Sequence, residues 1–345
     1  MRIFLTISLC LFWGFSSVCF AQKQTPAERP DDDVVRVDST LVTLPVRVLD
    51  RQGKFVEALK REDFHVYEDG IEQEIAYFES PTLSNSPASH AVAKPLTVAL
   101  LLDVSDSTEQ KLKEIQTAAL AFVDLFRPQD RVIVVAFDAR VQVLANATND
   151  RTILREAINR AHSGAGTSLY VAIQTIVRER LDRIGGQKAI VLLSDGVDTA
   201  SKGVTSQDTI RLAEESYVSI YPVQFNTYGD FADKSSRETY GAGDFGTISH
   251  VTRSGEPVSE AYKRATQYLR LLAEKTGGYF QYSDRARNLA RSFERIADQL
   301  RNQYALGYYP KNKTQAGRER KIEVRLNLPR VRVDARKSYV YKGSK

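Results

Sequence analysis

Sulfur is nearly absent from this chain of 345 residues: Cys10, Cys19 and Met1 are its only sulfur-bearing residues, and the single tryptophan, Trp13, lies among them. Everything after residue 21 therefore lacks disulfides, thiolate metal ligands and cysteine nucleophiles, and a fold built there must rest on its core. Histidine is scarce too. His65, His90, His162 and His250 sit on separate segments without paired or H-E-x-x-H spacing, which excludes the usual zinc and triad signatures. No one sign of charge dominates: 48 Lys and Arg face 43 Asp and Glu, a formal net charge of +5, with acids interleaved among the bases. That pattern is a solvated surface, and without a polybasic run it argues against nucleic acid or a lipid surface as partner.

Long apolar runs are missing as well. The longest, residues 3–15, falls short of the roughly 18–20 residues that a spanning helix needs. It follows Arg2 and precedes Cys19-Phe20-Ala21, whose small residues fit a cut ahead of Gln22, so residues 1–21 read as a secretory signal peptide. The expectation is an exported protein, periplasmic or extracellular, with no transmembrane segment in the mature chain. A lipid anchor at Cys19 is the weaker reading, because Ser16-Ser17-Val18 matches a bacterial lipobox poorly.

Residues 22–33 read as a disordered mature N-terminus. From 34 to 80 short alternating runs such as Leu41-Val42-Thr43-Leu44 and Phe64-His65-Val66-Tyr67 are separated by turn signals at Asp50-Arg51-Gln52-Gly53 and Glu68-Asp69-Gly70, the pattern of a small antiparallel β unit. A Ser-, Pro- and Ala-rich linker covers 81–94. Over 95–302 the period changes to strands alternating with helices, which predicts α/β architecture: a doubly wound, mostly parallel sheet covered on both faces. A polar, glycine-punctuated insertion at 226–256 leaves the carboxyl end of one of its strands. Residues 303–345 return to strands, and neither terminal β segment is large enough to bury a sheet face alone. The two are expected to pack together as a β-sandwich-like unit, with Tyr308 and Tyr309 as packing residues.

In such sheets ligands sit beyond the carboxyl ends of the strands. There the apolar run Val98-Ala99-Leu100-Leu101-Leu102 ends in Asp103-Val104-Ser105-Asp106-Ser107, and a second, Leu192-Leu193, ends in Ser194-Asp195-Gly196. Gly164-Ala165-Gly166-Thr167 supplies a further hydroxyl; it is no phosphate loop, for it lacks the Lys-Ser/Thr ending. Asp and Ser also cap helices, so a D-x-S-x-S string alone says little. Three segments in order at strand ends and helix starts say more: Asp103, Ser105, Ser107, Thr167 and Asp195 form an all-oxygen set of the kind that Mg²⁺, Mn²⁺ or Ca²⁺ accepts. Neutral hydroxyls in direct contact keep such a cation electrophilic and leave a position for an outside carboxylate. Asp106, Asp138 and Asp198 are read as solvated surface carboxylates and not as lining of the site.

These five residues, in this order and context, resemble the metal-ion-dependent adhesion site of von Willebrand factor type A domains over about 95–302. The resemblance implies direct metal bonds from Ser105, Ser107 and Thr167, with Asp103 and Asp195 acting mainly through water. The flanking stretches Leu59-Lys60-Arg61-Glu62-Asp63-Phe64 and Gln303-Tyr304-Ala305-Leu306-Gly307-Tyr308-Tyr309-Pro310 look like the bacterial VWFA-related subgroup. The expected function is a non-enzymatic, divalent-metal-dependent adhesion module whose cation accepts an Asp or Glu of a partner protein. A metal-assisted hydrolase, or an envelope scaffold with an idle metal site, is the alternative.

Overall fold

The computed structural model describes residues 41–81, 95–225, 256–283 and 286–341. The signal segment, residues 22–33, His90, His250, and most of the linker and of the polar insertion lie outside them. Four strands come first: β1 (Val42–Leu49), β2 (Phe64–Glu68), β3 (Ile71–Gln73) and β4 (Ile75–Glu79). The alternating part runs β5 (Thr97–Asp103), α1 (Leu112–Asp124), β6 (Arg131–Phe137), β7 (Val141–Thr148), α2 (Arg151–Arg160), α3 (Leu169–Glu179), β8 (Lys188–Ser194), α4 (Ser206–Glu215) and β9 (Ser219–Phe225). It continues through α5 (Val258–Thr276), β10 (Gln281–Ser283) and α6 (Ala286–Arg301). The chain then returns to strands with β11 (Tyr304–Tyr308), β12 (Glu319–Leu326), β13 (Arg332–Ala335) and β14 (Ser338–Val340).

Six strands in the order β10-β9-β8-β5-β6-β7 form the central sheet, parallel throughout except for β7, which pairs antiparallel with β6. The continuous apolar runs of β5 and β8 are what a sheet buried on both faces requires. Along β5, Val98, Leu100 and Leu102 enter a core with Ile115 and Phe122 of α1 and Phe293 of α6. Ala99 and Leu101 enter the opposite core with Ile173 of α3 and Leu269 of α5. Pro222 lies inside β9, where it cannot donate to a ladder. β10 begins its pairing at Val223, one residue beyond it, so no neighbour on that side needs the missing N–H.

The remaining strands make two four-stranded antiparallel sheets, β13-β1-β11-β4 and β14-β12-β2-β3. Each draws strands from both ends of the described chain, and their inner faces share one apolar core containing Val42, Leu44, Val66, Tyr304, Leu306 and Tyr339. The α/β class with a β-sandwich-like unit built from N- and C-terminal strands is therefore the architecture of the molecule. Tyr308 is wholly buried between the sheets, whereas Tyr309 is half exposed, a correction to its expected role. β3 and β14 carry too few residues to show a period, and β7 runs to the polar Thr148 with its register against β6 shifted at Val134.

The sandwich grips the α/β unit through Arg336, which is buried in the turn between β13 and β14. Its guanidinium donates to the carbonyls of Ala213 and Ser216 at the end of α4 and of Lys275 at the end of α5, at 3.1–3.2 Å. A cation there complements the carbonyl ends of two helices. Burial nonetheless pulls its pKa down to about 10. Nearby, Gly278 passes so close to β9 that a Cβ on it would lie 1.8 Å from the carbonyl oxygen of Ile220. Gly278→Ala is expected to destabilise the protein by about 3 kcal/mol through this backbone overlap, measurable as a lowered urea midpoint.

Candidate metal centre

Asp103 ends β5 wholly buried, at the level where the parallel strands stop hydrogen-bonding one another. Its Oδ1 accepts from the Ser105 N–H at 3.0 Å and the Ser105 hydroxyl at 2.6 Å, and its Oδ2 accepts from the Ser194 hydroxyl at 2.6 Å. Ser105 Oγ lies 3.1 Å from Ser107 Oγ, and Ser107 in turn donates to Asp195 Oδ2 at 3.0 Å. A continuous chain of oxygens thus runs Asp103–Ser105–Ser107–Asp195. Thr167, Ser105, Ser107 and Asp195 all line one cavity of about 240 Å³.

The local sequence explains the convergence. The Val104 N–H donates to the Phe137 carbonyl and its own carbonyl accepts from Gly164, which continues the sheet's pairing beyond β5 and brings the Thr167 loop beside Ser105. Gly164 is required at that contact, since a Cβ would fall 1.9 Å from Asp138 Oδ2. Residues 106–111 wind as a 3₁₀ turn before α1, with Thr108 Oγ1 donating to the Ser105 carbonyl at 2.8 Å, and this turn fixes Ser107 over the cavity.

Asp103 and Asp195 are 0% and 2% exposed. Burial, followed by the Asp195 charge, raises the Asp103 pKa to about 7 against the opposing hydrogen bonds from Ser105 and Ser194. No Lys, Arg or His lines the cavity among the described residues. Two buried carboxylates with hydroxyls between them and no basic side chain fit a hard divalent cation, which would neutralise them. Ser105, Ser107, Thr167, Asp103 and Asp195 are the residues that would hold it. No group of three His, Cys, Asp or Glu side chains converges among the described residues, so the donor set is rich in hydroxyls.

Other sequence candidates take different places. Asp106 is exposed and lies on the cavity rim. Asp138 and Asp198 line no part of it, as expected, but neither simply faces water. Asp138 is buried, accepting from the Arg140 N–H at 2.6 Å. Asp198 Oδ2 accepts from the Tyr170 N–H at 3.0 Å and the Ser201 hydroxyl at 2.6 Å, so it caps α3, which has no cap from its own preceding Ser168. His65 pairs with Glu72 in the sandwich, and His162 approaches the Arg160 carbonyl; neither lines the cavity.

Four further residues act here that the sequence did not single out. Ser194 holds Asp103. Tyr262 of α5 donates to Asp195 Oδ2 at 3.2 Å, and Gln224 of β9 donates to the Asp195 carbonyl at 2.8 Å. Thr199 Oγ1 accepts from the Thr167 N–H at 2.9 Å, while the N–H groups of Thr199 and Ala200 donate to the Thr167 carbonyl. An oxygen one residue before Asp195 was a visible signal for Ser194. Tyr262, 67 positions beyond Asp195, had none. Because Thr199 grips Thr167 from the loop that carries Asp195, Thr199→Val is expected to weaken Mn²⁺ binding about 10- to 100-fold and Thr199→Ser to retain it, as read by Mn²⁺ titration.

Residues 98–197 match the family model described as von Willebrand factor type A domain, and the chain contains such a domain. A curated relative, the uncharacterized protein sll0103 of Synechocystis sp. (strain ATCC 27184 / PCC 6803 / Kazusa), is 27% identical over 169 residues, which cover 47% of this chain and 39% of that protein. The chain thus spans well under half of that relative. Among solved structures, the vWF domain of the type V pili tip protein Mfa5 from Porphyromonas gingivalis is 15% identical over 61% of this chain and 96% of its own, with a TM-score of 0.45. The von Willebrand factor type A protein from Catenulispora acidiphila is 12% identical over 89% of this chain and 75% of its own, also at 0.45. Proximal thread matrix protein 1 from the mussel byssus, with a zinc-occupied MIDAS motif, is 16% identical over 64% of this chain and 49% of its own, at 0.46.

Proposed function

We propose that this protein is an exported, divalent-cation-dependent binding module and not an enzyme. A cation held by Ser105, Ser107 and Thr167, with Asp103 and Asp195 acting mainly through water, accepts an Asp or Glu side chain of a partner protein. Mg²⁺ is the proposed ion, with Mn²⁺ or Ca²⁺ as substitutes. The observation that carries this reading is a cavity floored by Asp195 and the hydroxyls of Ser105, Ser107 and Thr167, with the wholly buried Asp103 hydrogen-bonded behind Ser105 and no basic side chain on its wall among the described residues. An acid entering it without a cation meets like charge in a poorly solvated place. With the cation bound, the acid completes the metal's oxygen shell.

The same residues give little support to hydrolysis. A metal-activated water needs a positioned base, yet no histidine lines the cavity among the described residues, and Asp103 and Asp195 already accept hydrogen bonds from Ser105, Ser194, Ser107 and Tyr262. The test is capture of envelope proteins by the immobilised full chain in Mg²⁺ and in EDTA. Capture that needs Mg²⁺ and disappears with Asp103→Ala supports the proposal; capture unchanged by EDTA rejects it.

A further inference from the structure

The cavity has two unlike sides. Ser105, Ser107, Thr167 and Asp195 supply its polar floor, whereas Val197, Val258 and Ala261 stand around it with the ring of Tyr262. Val197 follows Asp195 by two residues, so the apolar wall begins immediately beside a cation donor. Val258 is the first residue of α5, and Ala261 and Tyr262 lie one turn on, which sets all three on one flank of the opening. Tyr262 joins the two sides, since its hydroxyl donates to Asp195 Oδ2.

Single apolar residues on a surface need no explanation, but a wall of them around a charged floor does. Water against Val197, Val258 and Ala261 finds no partner there, while the floor demands charge. A carboxylate alone fills the floor and leaves the wall wet. The cavity, at about 240 Å³, has room for more than a carboxylate, a single water occupying about 30 Å³ of liquid.

We infer that the group captured here is an acidic side chain flanked by an aliphatic residue, its carboxylate on the cation and its neighbour against Val197, Val258 and Ala261. This rests on the cation-dependent reading above and adds the partner's local chemistry to it. Affinity from the cation is shared by every acid, so discrimination among acidic segments falls to the wall. Burying about two methylene groups there supplies roughly a tenfold preference.

The test uses the full chain, ¹⁵N-labelled and loaded with Mg²⁺, titrated with three probes: acetyl-Gly-Asp-Gly-amide, acetyl-Leu-Asp-Leu-amide and free 4-methylpentanoate. Amide shifts of Val258, Ala261 and Tyr262 give the affinities, and an EDTA-treated sample is the control. The Leu peptide is expected to bind at least about tenfold more tightly than the Gly peptide, to shift the α5 amides, and to lose both effects in EDTA. Val258→Ala is expected to reduce the preference several-fold while leaving Mg²⁺ affinity unchanged, because neither valine nor alanine gives the cation an oxygen. Equal affinity for the two peptides, or a preference that survives Val258→Ala undiminished, overturns the assignment of the wall. Tighter binding of 4-methylpentanoate than of the Leu peptide overturns it in favour of a free fatty acid. If Mg²⁺ binds and none of the three probes does, the cation-dependent reading itself falls, and this inference with it.

Discussion

Glu68→Gln is expected to cost about 3–5 kcal/mol of folding free energy and to lower the melting temperature by about 10 °C. Glu68 and Arg320 are 3% and 2% exposed and form an ion pair at 2.6 Å. The other carboxylate oxygen accepts from Tyr308 and Tyr339, each at 2.8 Å, and the guanidinium also donates to the carbonyls of Asn312 and Thr314 while stacking on Tyr341 at 3.8 Å. Every strong partner is satisfied, so the desolvation that both charges suffer is offset only while the whole set is intact. Removing the carboxylate charge leaves a buried guanidinium with nothing ionic to face, and that is the expensive outcome. Replacing both members by apolar residues, Glu68→Met with Arg320→Leu, is expected to recover most of the loss. Urea denaturation followed by circular dichroism measures both variants. Since the pair belongs to the sandwich and touches none of the cavity residues, Mn²⁺ affinity should not change in either.

The pair also shows where sequence reading stops. Glu68 ends β2 and Arg320 lies in β12, 252 positions later, and no local period links them. The strands and helices of the central sheet were legible, because buried parallel strands write themselves as unbroken apolar runs and amphipathic helices as a recurring stripe. The site's oxygens were legible for a related reason: Asp103 and Asp195 each stand where an apolar run stops, and a doubly wound topology gathers such ends at one edge. What holds those oxygens was not. Thr199 and Asp198 read as loop polarity until the backbone groups of Thr167 and Tyr170 are seen to donate to them. Tyr262 reads as one residue of a helical stripe, and only folding brings it to Asp195. The three-residue strands β3 and β14 are set by their neighbours' ladders and not by their own composition.

Asp103→Asn is expected to weaken divalent-cation binding by more than about 100-fold while leaving the EDTA-treated protein as stable as the parent, within about 1 kcal/mol. Asn keeps the shape of Asp103: its oxygen can still accept from the Ser105 N–H and hydroxyl, and its NH₂ can donate to Ser194 Oγ in place of the bond Ser194 gives Oδ2, so the local turn survives. It removes the carboxylate from a wholly buried position beside Asp195, where burial and the Asp195 charge already disfavour its charged form in the metal-free protein and only a cation would favour it. Paired melting curves with and without Mg²⁺ give the readout: the parent gains stability from the ion and the variant gains none, since a ligand stabilises only the fold it binds.

Five oxygen donors from three loops are proposed to surround one ion. A crystal structure of the full chain grown with Mn²⁺, with the metal located by its anomalous scattering, tests this most directly. The predicted result is a single peak within about 2.0–2.4 Å of Ser105 Oγ, Ser107 Oγ and Thr167 Oγ1, with Asp103 and Asp195 around it. No peak in the cavity at saturating Mn²⁺, or one held elsewhere by other side chains, would contradict it.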